Sequence, residues 1–286
     1  MSDSTGSEAA ESVVTRLELR KDFKALWPQP FDAVVKQQGE IYREKEGRRT
    51  LRFENNGAGY FLKVHMGVGW LEIIKNLVQL RLPVIGATNE WEAINKLHQL
   101  GVGTMSLVGF GKRGSNPAKQ LSFVLTEELD NMVSLEDFCA PWKDMPPSYR
   151  VRKMLTEALA KDAATVHNGG MNHRDFYICH FLIKNSDPLL AGEKALPRLY
   201  LIDLHRAQMR PQVPTRWLVK DLASLYFSAV DIGLTKRDLV RFLRYYLGPQ
   251  VSKQLKASPD FWQKVIKRTD KLYRRDFNKR PYLPLR

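Results

Sequence analysis

The chain has 286 residues, 43% hydrophobic and 10% aromatic, a make-up that suits a globular protein and excludes a wholly disordered one. Lys and Arg outnumber Asp and Glu by 45 to 31, and the formal charge of +14 favours an anionic partner: an acidic membrane face, a phosphorylated glycolipid, an acidic protein or nucleic acid. The two cysteines, Cys139 and Cys179, are too few for a disulfide framework and read as free thiols of a reducing compartment.

Residues 1–16, rich in Ser, Glu and Ala, read as a disordered tail. The start has neither the basic residues nor the apolar run of a secretory signal, so the expected location is the cytosol. Glu72, Lys75 and Asp203 interrupt the longest apolar stretches, and none is long enough to span a bilayer.

Glu40–Arg43, Thr50–Glu54 and Tyr60–Val64 read as three strands, joined through Glu46-Gly47 and Asn55-Asn56-Gly57. An antiparallel meander ending in a lysine-bearing strand is what the N-terminal lobe of a kinase needs. Its first hairpin covers the nucleotide phosphates and its third strand aims a lysine at them. Lys63 is that candidate, and Gly47 is the one glycine at the hairpin tip, between Glu46 and Arg48.

Apolar positions 70, 73, 74 and 77 predict a helix that ends before Pro83, its stripe either packed in the core or offered to a lipid or partner protein. A second helix runs from Thr88 to Leu100, capped by Thr88 or Asn89. Kinases pair the strand lysine with a helical glutamate. Glu90 and Glu92 are the choices here, and Glu90 stands where the apolar stripe turns inward, although an acid in a first turn also has an ordinary electrostatic role. Leu121–Leu125 reads as a buried strand, and the passage through Thr126–Leu129 to a helix near Ser134 fits a hinge between two lobes.

Tyr149 to His167 keeps a helical apolar period and is stopped by Asn168-Gly169-Gly170. His173-Arg174-Asp175 follows, matching a kinase catalytic loop in which the Asp steers the acceptor hydroxyl and takes its proton, with Arg174 bracing the loop. Kinases place a magnesium-binding Asn five residues beyond the Asp. Here that residue is His180, which reads as a metal ligand, a donor to phosphate, a packed core histidine, or a change that leaves one ion unheld.

The apolar run from Arg198 ends in Asp203, a carboxylate placed to hold the magnesium that bridges the β- and γ-phosphates, with Leu204-His205 where protein kinases have Phe-Gly. A zinc site from His167, His173, Cys179 and His180 lacks ligand spacing. No A-P-E motif or long activation segment follows, which argues for a small-molecule or lipid-linked acceptor. Asp221, on the next helix, is placed to buttress the loop. Lys264, Lys267, Lys271, Arg274 and Arg275 recur at helical spacing among Phe261, Trp262 and Tyr273, as either a solvated face or a binding surface.

Arg81–Ala87, Ser134–Cys139, Asn172–Phe181, Leu201–Gln208 and Lys220-Asp221-Leu222 together resemble the lipopolysaccharide core heptose(I) kinase family, from about Leu17 to Arg280. The resemblance implies an α+β, two-lobed protein-kinase-like fold: an N-lobe over 17–126 with a small antiparallel sheet and helices, and a mainly helical C-lobe over 127–286 with a basic C-terminal helix. It implies ATP-dependent phosphorylation of the first heptose of the lipopolysaccharide inner core, with the enzyme peripheral at the cytoplasmic face of the inner membrane.

ATP and Mg2+ are the expected cofactors. Asp175 and Arg174 would act in catalysis, Lys63, Glu90 and Gly47 on the nucleotide, and Asp203 and His180 on the metal. The expected partners are the glycolipid substrate and an anionic membrane surface, with an acidic or lipid-carrying protein left open and no nucleic acid. The rival readings are a Ser, Thr or Tyr protein kinase, a kinase for another small molecule, and a catalytically dead kinase-fold binding protein.

Overall fold

The computed structural model describes residues 14–45, 47–67, 69–70, 86–192 and 194–283. The chain divides into two compact units, one of Met1–Trp91 with Leu107–Glu128 and one of Glu92–Ser106 with Leu129–Arg286. Residues 92–106 therefore group with the second unit, whereas the sequence reading placed them in an N-lobe over 17–126.

The first unit is built on an antiparallel six-stranded sheet. Its strands are β1 (Val14–Leu19), β2 (Glu40–Lys45), β3 (Arg48–Asn55), β4 (Ala58–His65), β5 (Leu107–Arg113) and β6 (Leu121–Glu127), in the order β1-β5-β6-β4-β3-β2. Alternation along the strands sends Leu51, Phe53, Tyr60, Leu62, Val64, Phe123 and Leu125 to one buried face. Two short helices, Lys21–Leu26 and Pro30–Lys36, cover that face with Phe23, Trp27, Phe31 and Val34. Phe23 meets Trp27 and Tyr60 edge-on, with ring centroids 5.0 and 4.9 Å apart, the arrangement the ring quadrupoles favour. Lys63 pairs directly with Val124 on β6, so it stands on the opposite face.

The meander over 40–65 forms as its alternation predicts. The turn between β3 and β4 takes left-handed backbone at Asn56 and Gly57. One strand differs from expectation. The tail expected over 1–16 lies outside the described residues as far as residue 13, but Val14–Arg16 are not tail: they open β1, which pairs with β5 through Leu17 and Leu19. Of the helix expected from position 70, Gly69 and Trp70 are helical and residues 71–80 lie outside the described residues.

The second unit is mainly helical. Its longest helix, Tyr149–Asn168, is capped by Ser148, whose hydroxyl accepts from the Val151 N–H, and buries Leu155, Ala158, Ala163 and Val166. Helices Thr215–Ser228 and Pro259–Phe277 pack through Val219, Leu222, Ala223 and Val265. A short sheet of β7 (Met132–Ser134), β9 (Phe181–Lys184) and β10 (Leu199–Leu201), with the ribbon of β8 (Met171–Asn172) and β11 (Gln208–Met209), frames the loop that follows β8. Among these helices lies an almost wholly apolar cavity of about 320 Å³, lined by Leu155, Leu222, Leu225, Phe242, Trp262 and Val265 among others. Among the described residues no helix is long and apolar enough to cross a membrane.

Asp162, on the long helix, is held out of water, and burial pushes its carboxyl up to about 7, with Arg198 acting the other way. Its folded pKa thus lies above the ordinary 3.8, so the protonated form is favoured on folding. The stability it contributes is full at low pH and is lost as pH rises through the folded pKa. Asp162→Asn should therefore raise the urea midpoint at about pH 8 and leave it unchanged near pH 4. A gain of equal size at both pH values would rule this account out.

Candidate active site

In the second unit the site is assembled from the turn after the long helix. Gly170, at φ +80°, packs so tightly on β11 that a Cβ would stand 1.9 Å from the Arg210 carbonyl oxygen, so only glycine fits. Beyond β8 the backbone amides of His173 and Arg174 both donate to the carboxylate of Asp221, at 2.6 and 2.9 Å. Asp221 is fully buried on helix Thr215–Ser228 and is the buttress the sequence suggested. Arg174 itself takes left-handed backbone at φ 77°, which turns the chain after its amide toward Asp175. Phe176, fully buried against His167, His173 and Phe181, anchors the far side of the loop.

His173 is a scaffold residue. Its Nε2–H donates to the Ile202 carbonyl at 2.9 Å, and its Nδ1 accepts from the Asp175 amide at 3.3 Å, which fixes the neutral tautomer. Burial holds its pKa below the ordinary value. The Asp175 carboxylate is mostly shielded and accepts from Arg206 Nη1 at 2.8 and 3.0 Å. Arg174 does not supply that contact: its guanidinium lies over the Trp217 ring, 5.1 Å from the centroid, so it braces the loop through helix Thr215–Ser228.

Asp203 ends the strand run in left-handed backbone, φ 61°, and leads into a single tight turn over Leu204–Arg206. One carboxylate oxygen meets His205 Nδ1 at 2.6 Å and the other lies 3.6 Å from His180 Nε2. His180 Nδ1 lies 2.6 Å from the Asp175 carbonyl, which can only accept, so the proton sits on Nδ1. The neutral ring then points a lone pair at a carboxylate, and two acceptors face each other unless a proton or a cation stands between them. Asp203 supplies the hard oxygen that magnesium prefers, with phosphate oxygens and water as its remaining ligands, whereas the His180 nitrogen is a softer donor beside it. Among the described residues no three His, Cys, Asp or Glu side chains gather as a ready-made metal cage.

In the first unit, Lys63 Nζ donates to Glu90 Oε1 at 2.6 Å. Glu90 is buried, whereas Glu92, the alternative, faces solvent. Glu90 Oε2 has no hydrogen-bond partner among the described residues, which leaves buried acceptor capacity beside the lysine. Gly47 closes the β2–β3 turn at φ +70°, its carbonyl accepting from the Met66 amide at 2.7 Å. A Cβ there would meet the Gly67 carbonyl oxygen at 2.4 Å, so glycine is required.

Sequence reasoning missed Arg206 and Trp217. Arg206 follows Asp203 by three residues, but nothing in that spacing announces that a left-handed turn aims it at Asp175. Cys139 and Cys179 are free, and burial pushes their thiols up to about 12 and about 11, so neither is a ready nucleophile.

An antiparallel sheet with a Lys–Glu pair, and a helical unit with one aspartate on a clamped loop and a second beside it, define a kinase-like protein. The chain belongs to the lipopolysaccharide kinase (Kdo/WaaP) family, whose model matches residues 32–246. It is 50% identical over 262 residues to the lipopolysaccharide core heptose(I) kinase WaaP of Pseudomonas aeruginosa, covering 91% of this chain and 97% of that one. It is 46% identical over 265 residues to the protein of the same name from Escherichia coli, covering 92% and 99%. A solved structure, WaaP in complex with acyl carrier protein, superposes with a TM-score of 0.79 at 46% identity, covering 91% of this chain and 100% of that one.

Asp221→Ala leaves the His173 and Arg174 amides without their acceptor, at about 1–3 kcal/mol for each buried group orphaned. The expected outcome is a lower urea midpoint together with a fall in phosphate transfer. A wild-type midpoint would show that the clamp contributes nothing to the loop.

Proposed function

We propose that this protein transfers the γ-phosphate of ATP to the first heptose of the lipopolysaccharide inner core. The observation that carries the reading is the 46–50% identity, across nearly the whole chain, to proteins named for that activity. Lys63, held by Glu90, orients the ATP phosphates, and the Gly47 turn lies over them. Asp175 aligns the heptose hydroxyl and takes its proton, its carboxylate held in place by Arg206, while Arg174 holds the loop's backbone. Asp203, with His180, would hold magnesium, which when bound neutralises charge on the β- and γ-phosphates.

The enzyme works at the cytoplasmic face of the inner membrane as a peripheral protein, and its exposed basic helix Pro259–Phe277 faces the anionic surface. The test is transfer of labelled phosphate from ATP to heptose-containing core saccharide that lacks its phosphate. Asp175→Ala should lower the turnover by about 100- to 10 000-fold, the range for a positioned base. Near-native turnover would remove Asp175 from its role, and transfer to peptides in preference to heptose would favour a protein kinase.

The partner is an acyl carrier protein, as in the solved relative's complex. Supporting this are the net positive charge and the apolar cavity, whose volume is in the range of small-ligand sites and whose lining suits an acyl chain. Leu239→Trp, which fills part of that cavity, should weaken binding of acylated carrier protein in calorimetry and leave binding of the unacylated form unchanged. Equal affinity of the wild type for the two forms would show that the cavity takes no acyl chain.

A further inference from the structure

Trp217 stands in the first turn of helix Thr215–Ser228, and four cations crowd its indole. Lys220 Nζ lies 4.1 Å from the ring centroid, and the guanidiniums of Arg174, Arg216 and Arg210 lie 5.1, 5.4 and 6.0 Å from it. A single ring accommodates one cation well. Four around it repel one another, and this repulsion is the more costly because Arg174, Arg210 and Lys220 are half-buried. The mutual effect is visible in their acidity: burial and then neighbouring Arg206 lower the pKa of Arg174, and burial and then Arg268, Arg174, Arg216 and Arg206 lower that of Lys220.

The acids at hand are committed elsewhere. Asp175 is paired with Arg206, and Asp221 is buried beneath the His173 and Arg174 amides. The helix itself adds to the imbalance. Its N-terminus, the positive end of its dipole, carries no acidic residue in the first turn and no side-chain cap. Two buried donors, Trp217 Nε1 and Arg268 Nε, have no hydrogen-bond partner among the described residues. Arg210 donates to the neutral Asn172 and Gln208 side chains, and a concentration of cations with buried donors unsatisfied among the described residues lowers its energy when an anion arrives.

We propose that the cations around Trp217 form the subsite that binds the acidic groups, carboxylate or phosphate, of the acceptor saccharide beside the heptose. Arg206 joins the cluster to Asp175, so an anion bound there lies next to the loop that would align the hydroxyl. The inference rests on the heptose kinase reading and adds to it the residues that select an acidic acceptor over a neutral sugar. It also accounts for Arg174, which turns away from Asp175 to stack on Trp217.

The test is calorimetric binding of a lipid-free acidic core saccharide to the full-length protein, alongside phosphate transfer to the same saccharide. Arg216 is exposed, so Arg216→Gln is measured separately from half-buried Lys220→Gln and the result does not depend on the fold tolerating the second change. Each variant should weaken saccharide binding about tenfold, the loss of one hydrogen bond to a charged group, and raise the acceptor KM in step while the KM for ATP stays within about twofold. With a carboxyl-reduced, dephosphorylated saccharide the difference between variant and wild type should vanish.

Unchanged binding by both variants, with the wild type still phosphorylating heptose, overturns the subsite and leaves the kinase reading standing. A wild type that neither binds the saccharide nor phosphorylates heptose overturns both. Variants that lose affinity for vesicles of anionic lipid but keep their affinity for the saccharide would assign the cluster to the membrane, and that too overturns the proposal.

Discussion

Asp221 accepts hydrogen bonds from two consecutive backbone amides, and the direction of the catalytic loop follows from that one contact. Successive amides of an extended strand point to opposite sides, so both reach one carboxylate only where the chain leaves the extended course between them. The next step is left-handed: Arg174 takes that backbone without being glycine, at a cost of about 1–3 kcal/mol. Hydrogen bonds to an ionised acceptor are the strong ones, and these two offset the strain. Asp221 is itself immobile, buried on a helix whose other face packs on Pro259–Phe277 through Ala223 and Val265. The orientation of Asp175 is therefore inherited from the packing of two helices.

Pairing of charges extends the same logic to the other reactive groups. Asp175 is matched to Arg206, Asp203 to His205 and Lys63 to Glu90, each at hydrogen-bond distance. Groups already oriented by a partner need little rearrangement when substrate charge develops, which is where electrostatic catalysis gains most. His180 departs from the pattern. One of its nitrogens is committed to the Asp175 carbonyl, so only Nε2 is left to face Asp203.

Much of this was legible in the chain because it is local. The meander over 40–65, the helix from Tyr149, Lys63, Asp175, Asp203 and the buttress Asp221 all announce themselves through periodicity or motif spacing. What stayed hidden depends on distant residues. β5 drew no assignment from the sequence, and its Gly109 and Gly111 are there because a Cβ would stand 2.4 Å from Leu19 and 2.3 Å from Phe123. β1 hides in a polar tail because its partner is β5, nearly a hundred residues away. The apolar cavity is assembled by several helices, none of which encloses it alone.

The net charge of +14 thus divides into two kinds of cation with different physics. Lys264, Lys267 and Lys271 are exposed on the last helix, and Arg274 and Arg275 are paired with Asp270 and Asp276. Their field is screened within about 8 Å at physiological ionic strength, so they act on a surface only in close approach. The cations around Trp217 are partly withdrawn from water, beside a ring that excludes counterions from one side, and there screening is weak. A salt-sensitive contact through the last helix and a salt-resistant one through the cations around Trp217 are therefore separable within one basic protein.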